Sequence, residues 1–229
     1  MINPPPDSTL DILYLDNHLI AVNKPTGLLT QSDDSGETSL MDLVKGWIKS
    51  EYKKPGKVFL GLVHRLDRPV SGVVVFARTS KGASRLSEQF RNKTTKKFYR
   101  ALVEGTPASR QGSLTHYLRK GKSLKATVFP RPTTDAKEAR LDYEVIETFK
   151  NTSLLDIHLH TGRFHQIRAQ LAFIHHPIVG DKKYGAHSTL ADRRIALHAL
   201  RMHFQHPTSK EDIVLECPPP QDWHSHKKK

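Results

Sequence analysis

The 229-residue chain holds one cysteine, Cys217, so no disulfide can close within it. That economy fits a reducing compartment, and a cytoplasmic enzyme is the simplest expectation. No apolar run approaches the ~20 residues that a membrane-spanning helix requires. The opening Met1-Ile2-Asn3-Pro4-Pro5-Pro6 has neither the charged start nor the apolar stretch of a secretory signal. No segment repeats. Fourteen histidines are present, yet no His-Glu-x-x-His occurs and one cysteine cannot build a zinc cluster. His203 and His206, three apart, are the nearest approach to ligand spacing, and no metal is expected. Gly61, Gly72 and Gly82 do not make a phosphate-cradling loop.

What is abundant is positive charge. Thirty-six Lys and Arg against 23 Asp and Glu leave a net charge of +13. Clusters fall at 93–100, 119–125 and 227–229. Such a surface favours polyanions, because each neutralised phosphate releases counterions. Charge alone points to nucleic acid and does not separate RNA from DNA.

The length suffices for one domain, at most two. Ile12 to Leu15, the turn residues Asp16-Asn17, and Leu19 to Val22 read as a β-hairpin. Ser39 with Asp42 three residues on signals a helix start. Leu40, Leu43, Val44, Trp47 and Ile48 then form a helical stripe, stopped by Pro55-Gly56. Val73 to Ala77 is an all-apolar strand, and a second helix follows with Ser80 as its cap. Strands are expected over 97–104, 141–146, 155–159, 195–204 and 213–215. Residues 110–132 read as a basic, irregular, mobile excursion. A helix around Ile167, Leu171 and Ile174 would carry Arg168 about 100° round, at the edge of its stripe. Strands outnumber helices without alternating with them, so the class is α+β with a mixed or mostly antiparallel sheet. The expected division is a flexible arm over 1–10, a body over 11–217 and a basic tail over 218–229.

One local pattern stands apart. His64-Arg65-Leu66-Asp67-Arg68 sets a carboxylate between two guanidinium groups, with Pro69 and Ser71-Gly72 behind. Cations so near favour the charged acid even where water is excluded. In extended backbone Arg65 and Asp67 point to one side. The bland alternative is an exposed loop ion pair worth ~0–1 kcal/mol.

His64 to Gly72 resembles the signature of the RluA-type RNA pseudouridine synthases. Lys97-Phe98-Tyr99-Arg100-Ala101, Gly162-Arg163-Phe164-His165-Gln166-Ile167-Arg168 and Leu197-His198-Ala199 match the same family in the same order. The likeness runs from about Asp11 to about Pro218. It implies a mostly antiparallel sheet flanked by helices around an RNA cleft. It also implies isomerisation of uridine to pseudouridine in ribosomal or transfer RNA, without cofactor. Only about ten residues precede the first strand, so a stand-alone catalytic domain, working as a monomer, is expected. By resemblance Asp67 is the essential carboxylate, Tyr99 the uracil-stacking residue and Arg168 the ion-pair partner, with Arg163 second for that role. Arg65 would fill the space of a flipped base. His64, Arg163, His165, Gln166 and His198 complete the expected substrate-binding set. Val70 and Phe164 stand where the family commonly has Thr, and Met202 where an aliphatic is usual, which bears on pocket shape. Two rivals remain: a non-catalytic RNA-binding protein on the same fold, and a glycosylase that would release uracil.

Overall fold

β2 (Leu19–Lys24) and β4 (Ser71–Ala77) are apolar almost without a break, the pattern of strands covered on both faces. They pair antiparallel from Leu19↔Ala77 to Lys24↔Gly72 as interior strands of one sheet. The computed structural model describes residues 10–121, 123–190, 194–220 and 223. Within them the chain also forms β1 (Ile12–Leu15), α1 (Leu40–Glu51), β3 (Gly61–Leu62), α2 (Ser80–Arg91), β5 (Lys96–Glu104), β6 (Gln111–Lys120) and β7 (Ala126–Phe129). Then come β8 (Lys137–Thr148), β9 (Thr152–Leu159), α3 (Gln166–Phe173), a 3-10 turn at Lys182–Tyr184, β10 (Leu197–Gln205) and β11 (Asp212–Glu216). The expected arm, except residue 10, lies outside the described residues, as does the expected tail except 218–220 and Trp223, which is buried in the core.

The strands make one sheet in the order β1-β2-β4-β10-β5-β9-β8-β6-β7, with β11 beside β10 and β3 beside β4. All pairings between these strands are antiparallel except β10 with β4. The fold is α+β. The parallel join needs Gly72: its φ is +118°, and a Cβ there would lie 2.3 Å from the Ala199 carbonyl oxygen. Close approach at this point brings the chain before β4, which carries Asp67, against the middle of the sheet.

Alternation sorts side chains to two layers. Ile20, Val22, Tyr99, Ala101, Leu155 and Ile157 face one side, packed with Leu40, Val44 and Ile48 of α1 and Ile167 and Leu171 of α3. Leu19, Ala21, Val73 and Val75 face the other, packed with Leu86 of α2 and with Met202, Phe204 and Leu215. Among the described residues no helix is long and apolar enough to cross a membrane.

α1 starts as expected: Ser39 and Asp42 cap each other's backbone N–H in a complete capping box. Three expectations change. α2 is capped by Thr79, whose side chain accepts from Gly82 N, and Ser80 is its first helical residue. Residues 110–132 are not irregular; β6 and β7 form a hairpin, and β6 pairs with β8 from Gln111↔Glu144 to Leu118↔Lys137. Alternating apolar positions (Leu114, Leu118, Ala126, Val128) carry that hairpin beneath the surface charge. Finally, Arg168 is buried rather than at the rim of α3, and Ile174 caps the helix instead of belonging to it.

Candidate active site

The Asp67 loop is held by the segment that follows β2. Lys24, fully buried, donates from Nζ to the carbonyls of Pro25 (2.9 Å), Leu28 (2.7 Å) and Arg68 (3.1 Å). Burial pushes this ammonium down to about 7, while the Asp67 charge acts to raise it. Thr26 Oγ1 donates to Pro69 O at 3.0 Å, and Gly27 N to Arg68 O at 2.9 Å. Thr30 Oγ1 donates to Leu66 O and accepts from Leu66 N, at 2.8 and 3.2 Å. A loop so tied presents its acid in one place.

The acid's partner comes from α3. Arg168 donates from one terminal nitrogen to Asp67 Oδ2 at 3.0 Å. Its other two nitrogens grip Asp181: Nε to Oδ2 at 2.7 Å and the second terminal nitrogen to Oδ1 at 2.9 Å. Desolvation opposes the charged guanidinium, but the two carboxylates outweigh it and raise Arg168 above its ordinary value. Such a two-pronged clasp fixes the plane of the guanidinium. Arg168 can therefore reach Asp67 from only one direction.

The flanking arginines do something else. Arg68 turns away to Glu37, making contacts of 3.0 and 2.7 Å, and to Gly27 O. Arg65 is exposed at the mouth of the pocket. Arg163 also lines the mouth and donates from Nε to Glu138 O at 2.8 Å. Adjacency in sequence therefore does not pair Arg68 with Asp67.

Behind Asp67 stands His165, in left-handed backbone with φ 51° at the start of α3. Tyr184 Oη accepts from Ala126 N at 2.8 Å and lies 3.0 Å from His165 Nδ1. The other ring nitrogen, Nε2, lies 3.5 Å from Asp67 Oδ2. Burial pushes His165 down, against the pull of Asp67, so the ring is neutral at pH 7. Gln166 is buried too: its Oε1 accepts from Thr161 Oγ1 and Arg163 N, and its Nε2 donates to Arg140 O. It shapes the 161–163 loop more than it offers itself to a ligand.

Asp67, Arg65, Tyr99, Phe164, His165 and Arg168 surround a cavity of about 250 Å³, closed below by Leu159, Ile167 and Leu197. Asp67 is its only carboxylate among the described residues. Tyr99 projects from β5; burial first, then the Asp67 charge, raise its phenol well above the ordinary value. At neutral pH it is a protonated, flat, apolar wall. Two expected ligand-contacting histidines lie elsewhere. His198 alternates with the pocket-facing Leu197 and points away, bonded to Ser71 Oγ (2.9 Å) and Cys217 O (3.0 Å). His64 accepts from Val75 N at 3.0 Å and stacks on Phe90, and burial pushes it down to about 3. Both are frame residues.

A sequence model of the family described as RNA pseudouridylate synthase matches residues 18–173. The chain belongs to the RluA-type RNA pseudouridine synthases. It is 34% identical over 221 residues to the dual-specificity RNA pseudouridine synthase RluA of Pasteurella multocida (strain Pm70), covering 94% of this chain and 96% of that one. It is 33% identical to ribosomal large subunit pseudouridine synthase D of Zymomonas mobilis, covering 96% of this chain and 72% of that protein. Among solved structures, human RNA pseudouridylate synthase domain containing 4 superposes with a TM-score of 0.77 at 25% identity, over 94% of this chain and 90% of that one. The protein is thus an RNA pseudouridine synthase, an isomerase, and the non-catalytic rival falls.

Three residues of this synthase's site escape a motif-by-motif reading: Lys24, Asp181 and Tyr184. Each had a signal. Lys24 closes a strand that opens with the apolar run Leu19 to Val22, and Asp181 follows the apolar Ile178-Val179-Gly180. An ionisable residue inside a buried run needs a partner, but sequence does not name it.

Proposed function

We propose that this synthase isomerises specific uridines of ribosomal or transfer RNA, with Asp67 as the reacting carboxylate. The observation that carries the reading is the chain Asp181–Arg168–Asp67, which aims one carboxylate oxygen into a pocket of nucleoside size. The reaction breaks the N1–C1′ bond of uridine, turns the uracil and joins C5 to C1′. The hydrogen on C5 leaves as a proton, so nothing is oxidised or hydrolysed. A carboxylate can open this sequence by attacking C1′ or by taking the 2′ proton, and both routes need a charged, fixed oxygen.

Arg168 supplies the counter-charge and the aim. Tyr99 offers its face to the uracil, worth ~1–3 kcal/mol by stacking. Its raised phenol stays protonated and cannot act as the base, so Asp67, the only carboxylate lining the pocket among the described residues, is the acceptor this geometry favours for the C5 proton. Arg65, exposed at the mouth, is the cation that fills the vacated stack when the base is extruded. RNA grip falls to the basic surface rather than to the acid. The names of two relatives, one a ribosomal large subunit enzyme and one of dual specificity, support the substrate class. A cytoplasmic monomer remains the simplest working form.

Asp67→Asn tests the assignment, because it keeps shape and removes charge. No pseudouridine should form in structured RNA, while RNA affinity stays within about tenfold, since the grip is electrostatic and distributed. Turnover in a clean preparation would refute the role. Release of free uracil by the native protein would refute the isomerase chemistry and favour the glycosylase.

A further inference from the structure

The sheet face opposite the pocket carries a second cluster that the isomerisation does not use. Phe98 and Tyr99 are neighbours on β5 and so point to opposite faces; Tyr99 faces the pocket and Phe98 the other side. Beside Phe98 on the next strand is His158, and beside His158 is Asp142. His160 lies two residues beyond His158, at the bend just after β9, its N–H donating to Arg140 O at 3.1 Å and its ring centroid 4.2 Å from that of His158. That ring contact and the His160–Asp142 contact put both imidazoles on the Asp142 face. Asp142, His158 and His160 each bring one ligand atom within 4.8 Å of the others.

We propose that Asp142, His158 and His160 form a binding site for a divalent first-row transition cation of borderline softness, with Zn²⁺ as its test ion. Two imidazoles and a carboxylate suit zinc, copper or nickel and not magnesium. Metal–nitrogen and metal–oxygen bonds of ~2.0–2.1 Å place tetrahedral ligands roughly 3.3 Å apart. The contact between His160 Nε2 and Asp142 Oδ2, 2.5 Å, and the outer limit of 4.8 Å bracket that spacing. Admitting the ion requires the 2.5 Å contact between His160 Nε2 and Asp142 Oδ2 to open by about 0.8 Å.

The supporting shell is already built. Ser113 Oγ donates to Asp142 Oδ1 at 2.6 Å and holds that oxygen, while Oδ2 faces His160 Nε2 and is the arm that would turn to the ion. Phe98 stacks on His158 with centroids 4.7 Å apart and planes at 17°, fixing the ring. The His158 ring nitrogens make no hydrogen bond to the described residues, so a ligand costs them no existing partner. All three side chains are partly exposed, which leaves an approach and a fourth position for water. Lys96 and Lys97 act on His158 electrostatically, so micromolar affinity is expected rather than that of a closed zinc cluster. The bound ion would pin β8 to β9, next to the strand that carries Tyr99.

The experiment uses the full chain with any affinity tag removed, stripped by chelator and titrated with Zn²⁺ alone by calorimetry. One equivalent should bind, and at hundredfold excess over the dissociation constant the melting temperature should rise by roughly 5–10 °C. His158→Ala and His160→Ala should each weaken binding at least tenfold, and the gentler Ser113→Ala by about tenfold. His187→Ala, an exposed histidine elsewhere, should change nothing. Chelation should leave isomerase turnover intact, because the cluster lies across the sheet from Asp67. Binding that survives the double variant His158→Ala/His160→Ala, or a native protein that binds no Zn²⁺, overturns the site. Should the alanine variants fail to fold, Zn²⁺-dependent shifts of the His158 and His160 ring nitrogens in the native protein decide it: unchanged rings refute the proposal.

Discussion

Removing Asp181 tests whether the clasp on Arg168 is what the site depends on. Asp181 and Arg168 are buried, with side chains 1% and 6% exposed, and Asp67 is 24% exposed. Deleting one partner of a buried pair costs about 3–5 kcal/mol, because the survivor stays buried and charged. Asp67 still faces Arg168 in Asp181→Ala, so the low end, ~3 kcal/mol, is expected. For a chain of this size that is a fall of roughly 6–12 °C in melting temperature. The reverse follows for a paired replacement: Arg168→Met with Asp181→Leu fills the volume without charge and should recover most of the stability. It should not recover turnover, because Asp67 then has no cation to aim it. Urea unfolding gives the four corners of the cycle, and single-turnover assays on one RNA give the rates. An Asp181→Ala loss below 1 kcal/mol, or a paired variant that turns over normally, would refute this account of the site.

Tyr99→Phe should retain turnover within about tenfold, because stacking survives and the phenol gives no proton at pH 7, whereas Tyr99→Leu should lose up to ~100-fold in kcat/KM; equal losses would restore the hydroxyl to the chemistry. His64, pushed down to about 3, and His198, pushed down to about 4, bind protons when unfolded that they refuse when folded. The stability they contribute is complete above pH 6.5 and falls as pH drops toward 4, by up to ~1.4 kcal/mol per pH unit each. Urea midpoints at pH 7, 5.5 and 4.5 should show this, with a shallower slope in His198→Gln; an unchanged slope would contradict it. Arg65→Ala should slow reaction at a uridine within a stem more than at the same uridine in a free single strand, measured by single-turnover rates, because only the stem pays for extrusion; equal slowing would assign Arg65 to binding.

Much of this molecule was legible residue by residue. The capping box at Ser39 and Asp42 and the doubly buried run from Val73 to Ala77 are local facts, since caps and periodicity act over a few residues. The charged hairpin at 110–132 was not legible, because its apolar positions make sense only against β8 and α3. The four family-like strings name Asp67, Tyr99 and Arg168 from sequence and rank Arg168 ahead of Arg163, but which arginine meets Asp67 was left to the structure. Three decisions belonged to tertiary structure. It took Arg68 away from Asp67 to Glu37, turned His64 and His198 into the frame, and brought Asp181 and Lys24 to the site. Side-chain chemistry is written in the sequence, but which buried charge meets which partner depends on chain paths separated by up to a hundred residues. His158 and His160 show the same division: their spacing is printed in the chain, while only the sheet register sets Asp142 beside them.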